Sequence, residues 1–312
     1  MPHMLARLIL CIGSLAHLSL QETKTCYACA SESLSSRWHI TGLPRVQDSL
    51  FGDCSSQSVA KMRVESCSGS CFTYMFEDPD VTPNSGNGNV LLVVRGCHTS
   101  LTTVVSERSN GAGGNFYCEY DATHQMSNSK GELVSVRALA EFCSTANCNS
   151  RQSTSPNVFN DCNDQMTDNL INNEVLNCYE CTAQEGKNCN DKERKCSSKK
   201  YCTKQIVQLG GGFQLTKSCS NINVLGVDNT CASYDLFTSP GGVAVRNKYS
   251  QCYCRNKQYC NSTPSRIGSD PAYPVFNKAR QLKPSALIRK LKRRTRGSVS
   301  AEGGAIAVPP EI

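Results

Sequence analysis

Cys178-Tyr179-Glu180-Cys181, continued by Cys189, Cys196, Cys202, Cys219 and Cys231 and closed by Cys252-Tyr253-Cys254 and Cys260-Asn261, is the stretch on which the fold turns. Its order is a repeat. Cys26-Tyr27-Ala28-Cys29 matches the opening, and Cys67 to Cys71 with Phe72-Thr73 matches Cys196 to Cys202 with Thr203. Cys97 matches Cys219, Cys118-Glu119-Tyr120-Asp121 matches Cys231 through Asp235, and Cys143 to Cys148-Asn149 matches Cys254 to Cys260-Asn261. Self-similarity of this kind marks one structural unit used twice.

Outward from the repeat, the chain begins with a single Arg7 and an apolar stretch, Leu8 to Leu20, with small residues Ser14 and Ala16 near its end. This reads as a removed signal peptide over residues 1–20. One of the 21 cysteines, Cys11, lies within it, which leaves an even number in the mature chain. Cysteine at that density points to disulfides in an oxidising compartment, hence to a secreted, extracellular protein. No later apolar run approaches the roughly 20 residues of a membrane span, so no transmembrane segment is expected. The net charge of +7 resides in residues 264–312, which carry ten Lys or Arg against three Asp or Glu. The rest of the chain carries 23 of each sign, which argues against nucleic acid as a partner of the modules.

The order from Cys-x-x-Cys to a closing Cys-Asn resembles the lymphocyte antigen-6 and urokinase receptor superfamily, the LU or three-finger domains. The resemblance covers residues 26–149 and 178–261, and the second copy holds all ten family cysteines; Tyr253 separates two that the family often has adjacent. It implies an all-β, small disulfide-rich fold: a variant first domain over 21–149, a polar linker over 150–177, a complete second domain over 178–261, and a disordered basic tail over 262–312. It also implies the pairs Cys178 with Cys202, Cys181 with Cys189, Cys196 with Cys219, Cys231 with Cys252 and Cys254 with Cys260. By analogy the first copy pairs Cys26 with Cys71, Cys29 with Cys54, Cys67 with Cys97 and Cys143 with Cys148. Cys118 then lacks its partner, since Glu141-Phe142 stands in that place, and the even count suggests Cys162; an intermolecular bridge or a local reshuffle are the rivals.

Between the cysteines the chain reads as hairpins. Lys204–Leu209 and Phe213–Lys217 flank three glycines, with Val207, Leu209, Phe213 and Leu215 expected on one face. Phe72–Phe76 and Val90–Arg95 flank a long polar tip, and Glu119–Phe142 and Ala232–Gln251 form the last fingers. Leu133–Phe142 is the one segment read as a short helix.

Catalysis is not expected: the mature chain offers three histidines, His39, His98 and His124, and the second copy has none. Cys-x-x-Cys in this setting argues for structural disulfides over a zinc site or a thioredoxin motif, so no metal or cofactor is expected. Asn261-Ser262-Thr263 is the one Asn-x-Ser/Thr sequon; the resemblance gives Asn261 and Asn149 a competing structural role at the hub. The run Arg289 to Arg296 has three readings: a processing site, a patch for glycosaminoglycan or an anionic surface, or a solvated tail. A lipid-anchor signal is not seen, because Gly303–Ile312 offers only Ala305 to Val308 before two prolines. The resemblance implies a binding module that modulates a cell-surface receptor or ion channel, or mediates adhesion. Its expected contacts are the finger tips, at Asp78, Asp80 and Asn84 and at Gln208, Gly211 and Phe213. The alternatives are an inhibitor of a secreted enzyme, phospholipase or protease, and a precursor processed at its basic tail.

Overall fold

The computed structural model describes residues 23–55, 62–81, 90–102, 104, 116–129, 132–151, 158–163, 175–182, 194–197, 199–209, 212–238 and 245–262. The expected signal peptide, Cys189 and the basic tail lie outside them. The first copy contributes β1 (Lys24–Ser31), β2 (Phe51–Gly52), β3 (Arg63–Cys67), β4 (Cys71–Glu77), β5 (Leu91–Cys97), β6 (Phe116–Ser127) and β7 (Leu133–Cys143). The second contributes β8 (Asn177–Tyr179), β9 (Cys181–Thr182), β10 (Lys195–Ser197), β11 (Tyr201–Leu209), β12 (Gly212–Ser220), β13 (Thr230–Thr238) and β14 (Val245–Cys254). The protein is disulfide-rich and mostly β.

The repeat in sequence becomes a repeat in topology. The first sheet runs β1-β5-β4-β7-β6, with β3 paired to β1; the second runs β9-β12-β11-β14-β13, with β10 paired to β8. Each central strand lies between antiparallel neighbours at one register: Cys71 faces Cys97 and Cys143, and Cys202 faces Cys219 and Cys254. The cysteines therefore gather at one end of each sheet.

There the structure bonds Cys26 to Cys71, Cys67 to Cys97 and Cys143 to Cys148, and in the second copy Cys178 to Cys202, Cys196 to Cys219 and Cys254 to Cys260. Cys29 bonds Cys54, Cys231 bonds Cys252 and Cys118 bonds Cys162. Cys181 is also in a disulfide, and its expected partner Cys189 is outside the described residues. Each bridge stabilises by about 2–4 kcal/mol through the unfolded chain, without strict additivity. The sulfurs of Cys178, Cys196 and Cys219, and of Cys202, Cys254 and Cys260, approach one another closely enough to suggest metal ligands. All six are oxidised into bridges, so none offers the thiolate that a metal needs.

Each copy ends in an asparagine clasp. The Asn149 side chain accepts from the Tyr27 amide at 3.0 Å and donates to the carbonyls of Tyr27 and Phe72. Asn261 does the same with Tyr179 and Thr203. Both are buried, and their amide hydrogens are spent inside the fold. As a glycosylation acceptor Asn261 fails on this geometry, because the nitrogen a glycan needs points into the hub.

Three expectations change. Leu133–Phe142 is strand β7, not a helix. Its Ala-Leu-Ala run suggests helix, but Ala138, Leu139 and Ala140 are buried on both faces, where a strand reads as a continuous apolar stretch. In the β11–β12 hairpin Leu209 pairs with Gly212, leaving two residues for the reversal and not three. That one-residue slip turns the returning strand over. Val207 thus faces Gln214 and Ile206 faces Leu215, so Val207 and Leu215 lie on opposite sides. Finally, part of the expected linker is core, for Val158, Phe159 and Cys162 are buried against Met75, Val93 and Leu139.

The opposite face of the first sheet packs on the second copy. Phe72, Tyr74, Phe76, Val94, Ala140 and Phe142 join Tyr201, Ile222, Val224, Leu225 and Tyr253 in one apolar cluster. Burial of each large side chain is worth about 1.5–3 kcal/mol. The described residues accordingly form one compact unit.

Candidate functional site

The junction between the copies is built on β6. Its inward residues Glu119 and Asp121 are buried carboxylates, and both serve the second copy. Glu119 accepts from the Tyr201 hydroxyl at 2.5 Å and from the Asn223 amide at 2.7 Å. Asp121 accepts from Lys199 at 2.7 Å and from the Asn221 amide at 2.9 Å. Burial raises the Asp121 carboxyl, but His124 and Lys199 outweigh it and hold the group well below the usual carboxylate range. Two further clasps cross the junction: His98 Nε2 lies 2.8 Å from the Val224 carbonyl, and the Tyr234 hydroxyl donates to the Gly42 carbonyl. Burial pushes His98 down to about 4, so at neutral pH the uncharged ring donates to Val224.

Gly42 is required where it sits. It ends the short 3-10 turn Trp38–Thr41 with φ of 65°, and a Cβ there would meet the Tyr249 hydroxyl oxygen at 3.1 Å.

Beside this junction lies an open cavity of about 450 Å³. Its floor is one face of the second sheet, where the register places Thr203 beside Ser218 and Tyr253, Gln205 beside Thr216 and Gln251, and Val207 beside Tyr249. The first copy supplies the opposite wall, from His39–Gly42, Tyr74 and the β6–β7 hairpin. No Asp, Glu, Lys or Arg is among the described residues that line it. Burial lowers His39 and raises Tyr74, Tyr249 and Tyr253, so these groups are neutral at physiological pH.

Two lining residues, Ser220 and His124, also meet Asp121, which does not itself line the cavity. Ser220 Oγ lies 3.4 Å and Asp121 Oδ2 3.9 Å from His124, but both approach the same nitrogen, Nδ1, while Nε2 faces the Tyr74 hydroxyl at 3.2 Å. A nucleophile, base and orienting acid need the two ring nitrogens to serve different partners. The Ser220 hydroxyl is moreover engaged by the Ile222 backbone on both sides.

At the expected tips, Asp78 and Asp80 are fastened to the frame. Arg37 holds Asp78 in a two-pronged pair, with Nη1 2.6 Å from Oδ1, and reaches Asp80 at 2.5 Å. Ser129 donates twice to Asp80, and together with Arg37 it holds that carboxyl below its usual range against the opposing effect of burial. These two aspartates secure the base of the loop. Asn84 and Gly211 lie outside the described residues; Gln208 and Phe213 pair with each other across β11 and β12.

Sequence reasoning misses the cavity altogether, because its walls come from segments 70 residues or more apart that meet only when the copies dock. Comparison of the chain with protein-family models, curated proteins and solved structures finds no match.

Proposed function

We propose that the chain is an extracellular binding protein of two tandem three-finger copies, modulating a cell-surface receptor or ion channel or mediating adhesion. The observation that carries this reading is the shared core. With Glu119 and Asp121 buried in the junction, the hairpins β4–β5 and β11–β12 project from one frame and not from two tethered domains. Two hairpins held in one frame can engage one partner with less loss of conformational freedom than two tethered domains. Nine described bridges agree with an oxidising compartment, and no described helix is long and apolar enough to cross a membrane.

The test is capture from intact cells by proximity labelling, with the full chain as bait. Replacement of residues 82–89 or 208–213 by Gly-Ser sequence, leaving Asp78 and Asp80 in place, should abolish capture. Undiminished capture by both replacements overturns the assignment.

A further inference from the structure

We propose that the cavity between the two sheets is a binding site for a short, uncharged saccharide. The inference does not depend on the loops as the protein-binding surface. It begins with three side chains on the cavity floor, Thr203, Gln205 and Thr216. They stand on adjacent strands, face the cavity, and make no side-chain hydrogen bond to any other described residue. Elsewhere at the junction the polar groups are closely matched, as at Glu119, Asp121 and His98. A patch of open amide and hydroxyl groups inside so well-paired a junction has hydrogen-bonding capacity for a ligand.

The chemistry of that ligand follows from the lining. A charged group would find no carboxylate, ammonium or guanidinium in the described lining; of its two histidines burial lowers His39, and both ring nitrogens of His124 already face Asp121, Ser220 and Tyr74. A wholly apolar ligand would strip water from Thr203, Gln205 and Thr216 and leave them unmatched. Sugar hydroxyls both donate and accept, as do the threonine hydroxyls and the Gln205 amide they would meet. Tyr74, Tyr249 and Tyr253 reach the walls, but their rings are buried against neighbours, so recognition rests on the polar groups of the floor. The volume lies within the range of small-molecule sites, about 300–1,000 Å³, and is too small to seat a protein module.

Saturation-transfer NMR with the full chain tests this, using lactose, maltose and N,N′-diacetylchitobiose at millimolar concentration. At least one of them should bind, and the Gln205→Leu/Thr216→Val double variant should weaken it by roughly tenfold or more. The unaltered melting temperature of that variant, and rescue of binding by Gln205→Asn with Thr216→Ser, separate loss of the site from loss of the fold. Silence from all three sugars overturns the proposal, as does binding that ignores the double variant or uptake of the apolar dye Nile red in their place. If the double variant loses a captured protein partner while no sugar binds, the cavity is a protein socket and the saccharide reading falls.

Discussion

Across five strands the two copies carry corresponding rows of residues with different chemistry. In the first the row is Cys29, Arg95, Thr73, Glu141 and Cys118; in the second it is Cys181, Lys217, Lys204, Cys252 and Cys231. In the second copy Cys231 and Cys252 face each other and bond, which staples the last hairpin to itself. In the first, Glu141 stands opposite Cys118, and the thiol is bonded to Cys162, 44 residues further along. Glu141 pairs with Arg151 and favours the charge of the buried Arg95, whose guanidinium donates to the carbonyls of Asn149 and Arg151. One cysteine exchanged for one glutamate thus redirects a local staple to the chain that leaves the copy. That chain is held by a bridge, an ion pair and two hydrogen bonds.

The sharpest way to break this contrast is Glu141→Gln, which strands Arg95 and Arg151 beside a neutral amide. Removing one partner of a buried pair costs about 3–5 kcal/mol, read as a lower denaturant midpoint at unchanged slope. A loss under about 1 kcal/mol would show the carboxylate to be a bystander. Glu141→Cys with Cys162→Ala remakes the second copy's arrangement, and peptide mapping should recover Cys118 bonded to the introduced thiol. Cys118→Ala with Cys162→Ala, which merely opens the long-range bridge, should cost about 2–4 kcal/mol.

The residues after Cys97 and Cys219 also differ, His98 in one copy and Ser220 in the other, and only the first titrates. The unfolded His98 takes up a proton near 6.5 and the folded one near 4. Between these values the unfolded chain binds more protons. Stability is therefore full above about pH 6.5 and declines toward pH 4, by about 3 kcal/mol at most; His98→Gln should flatten that segment of the pH–stability curve. Glu119 corresponds to Ala232, and Glu119→Gln should cost about 1.5–3 kcal/mol as charge-assisted bonds to Tyr201 and Asn223 weaken. The smallest effect belongs to Thr263→Ala. It removes the sequon, and the intact mass should change only by the substitution, because Asn261 is sealed in its clasp.

Much of this contrast is legible in the sequence. Cysteine spacing reports strand ends, and Glu141 standing in a cysteine's place already leaves Cys118 to seek a partner elsewhere. The Cys-Asn endings are visible for the same reason, since a clasp needs one residue at a fixed distance from the hub. What the sequence hides depends on docking. Leu133–Phe142 looks helical until Phe76 and Tyr74 occupy the space beside Ala138 and Ala140. Asp78 looks like a loop contact until Arg37, 41 residues earlier, is brought to it. The slip at Leu209 and Gly212 is hidden because three glycines serve a two-residue or a three-residue reversal equally well.

The asparagine clasps set an order of events during synthesis. The strand that opens each copy is held by the residue that closes it: Tyr27 waits for Asn149, and Tyr179 for Asn261. At ribosomal speeds of about 5–20 residues per second, several seconds separate each opening strand from its closing asparagine, and until then it has only its strand partners and bridges, β3 and β5 in the first copy and β10 in the second. The clasp is thus the last part of each hub to close, which makes residues 149 and 261 the two points at which the growing chain can commit.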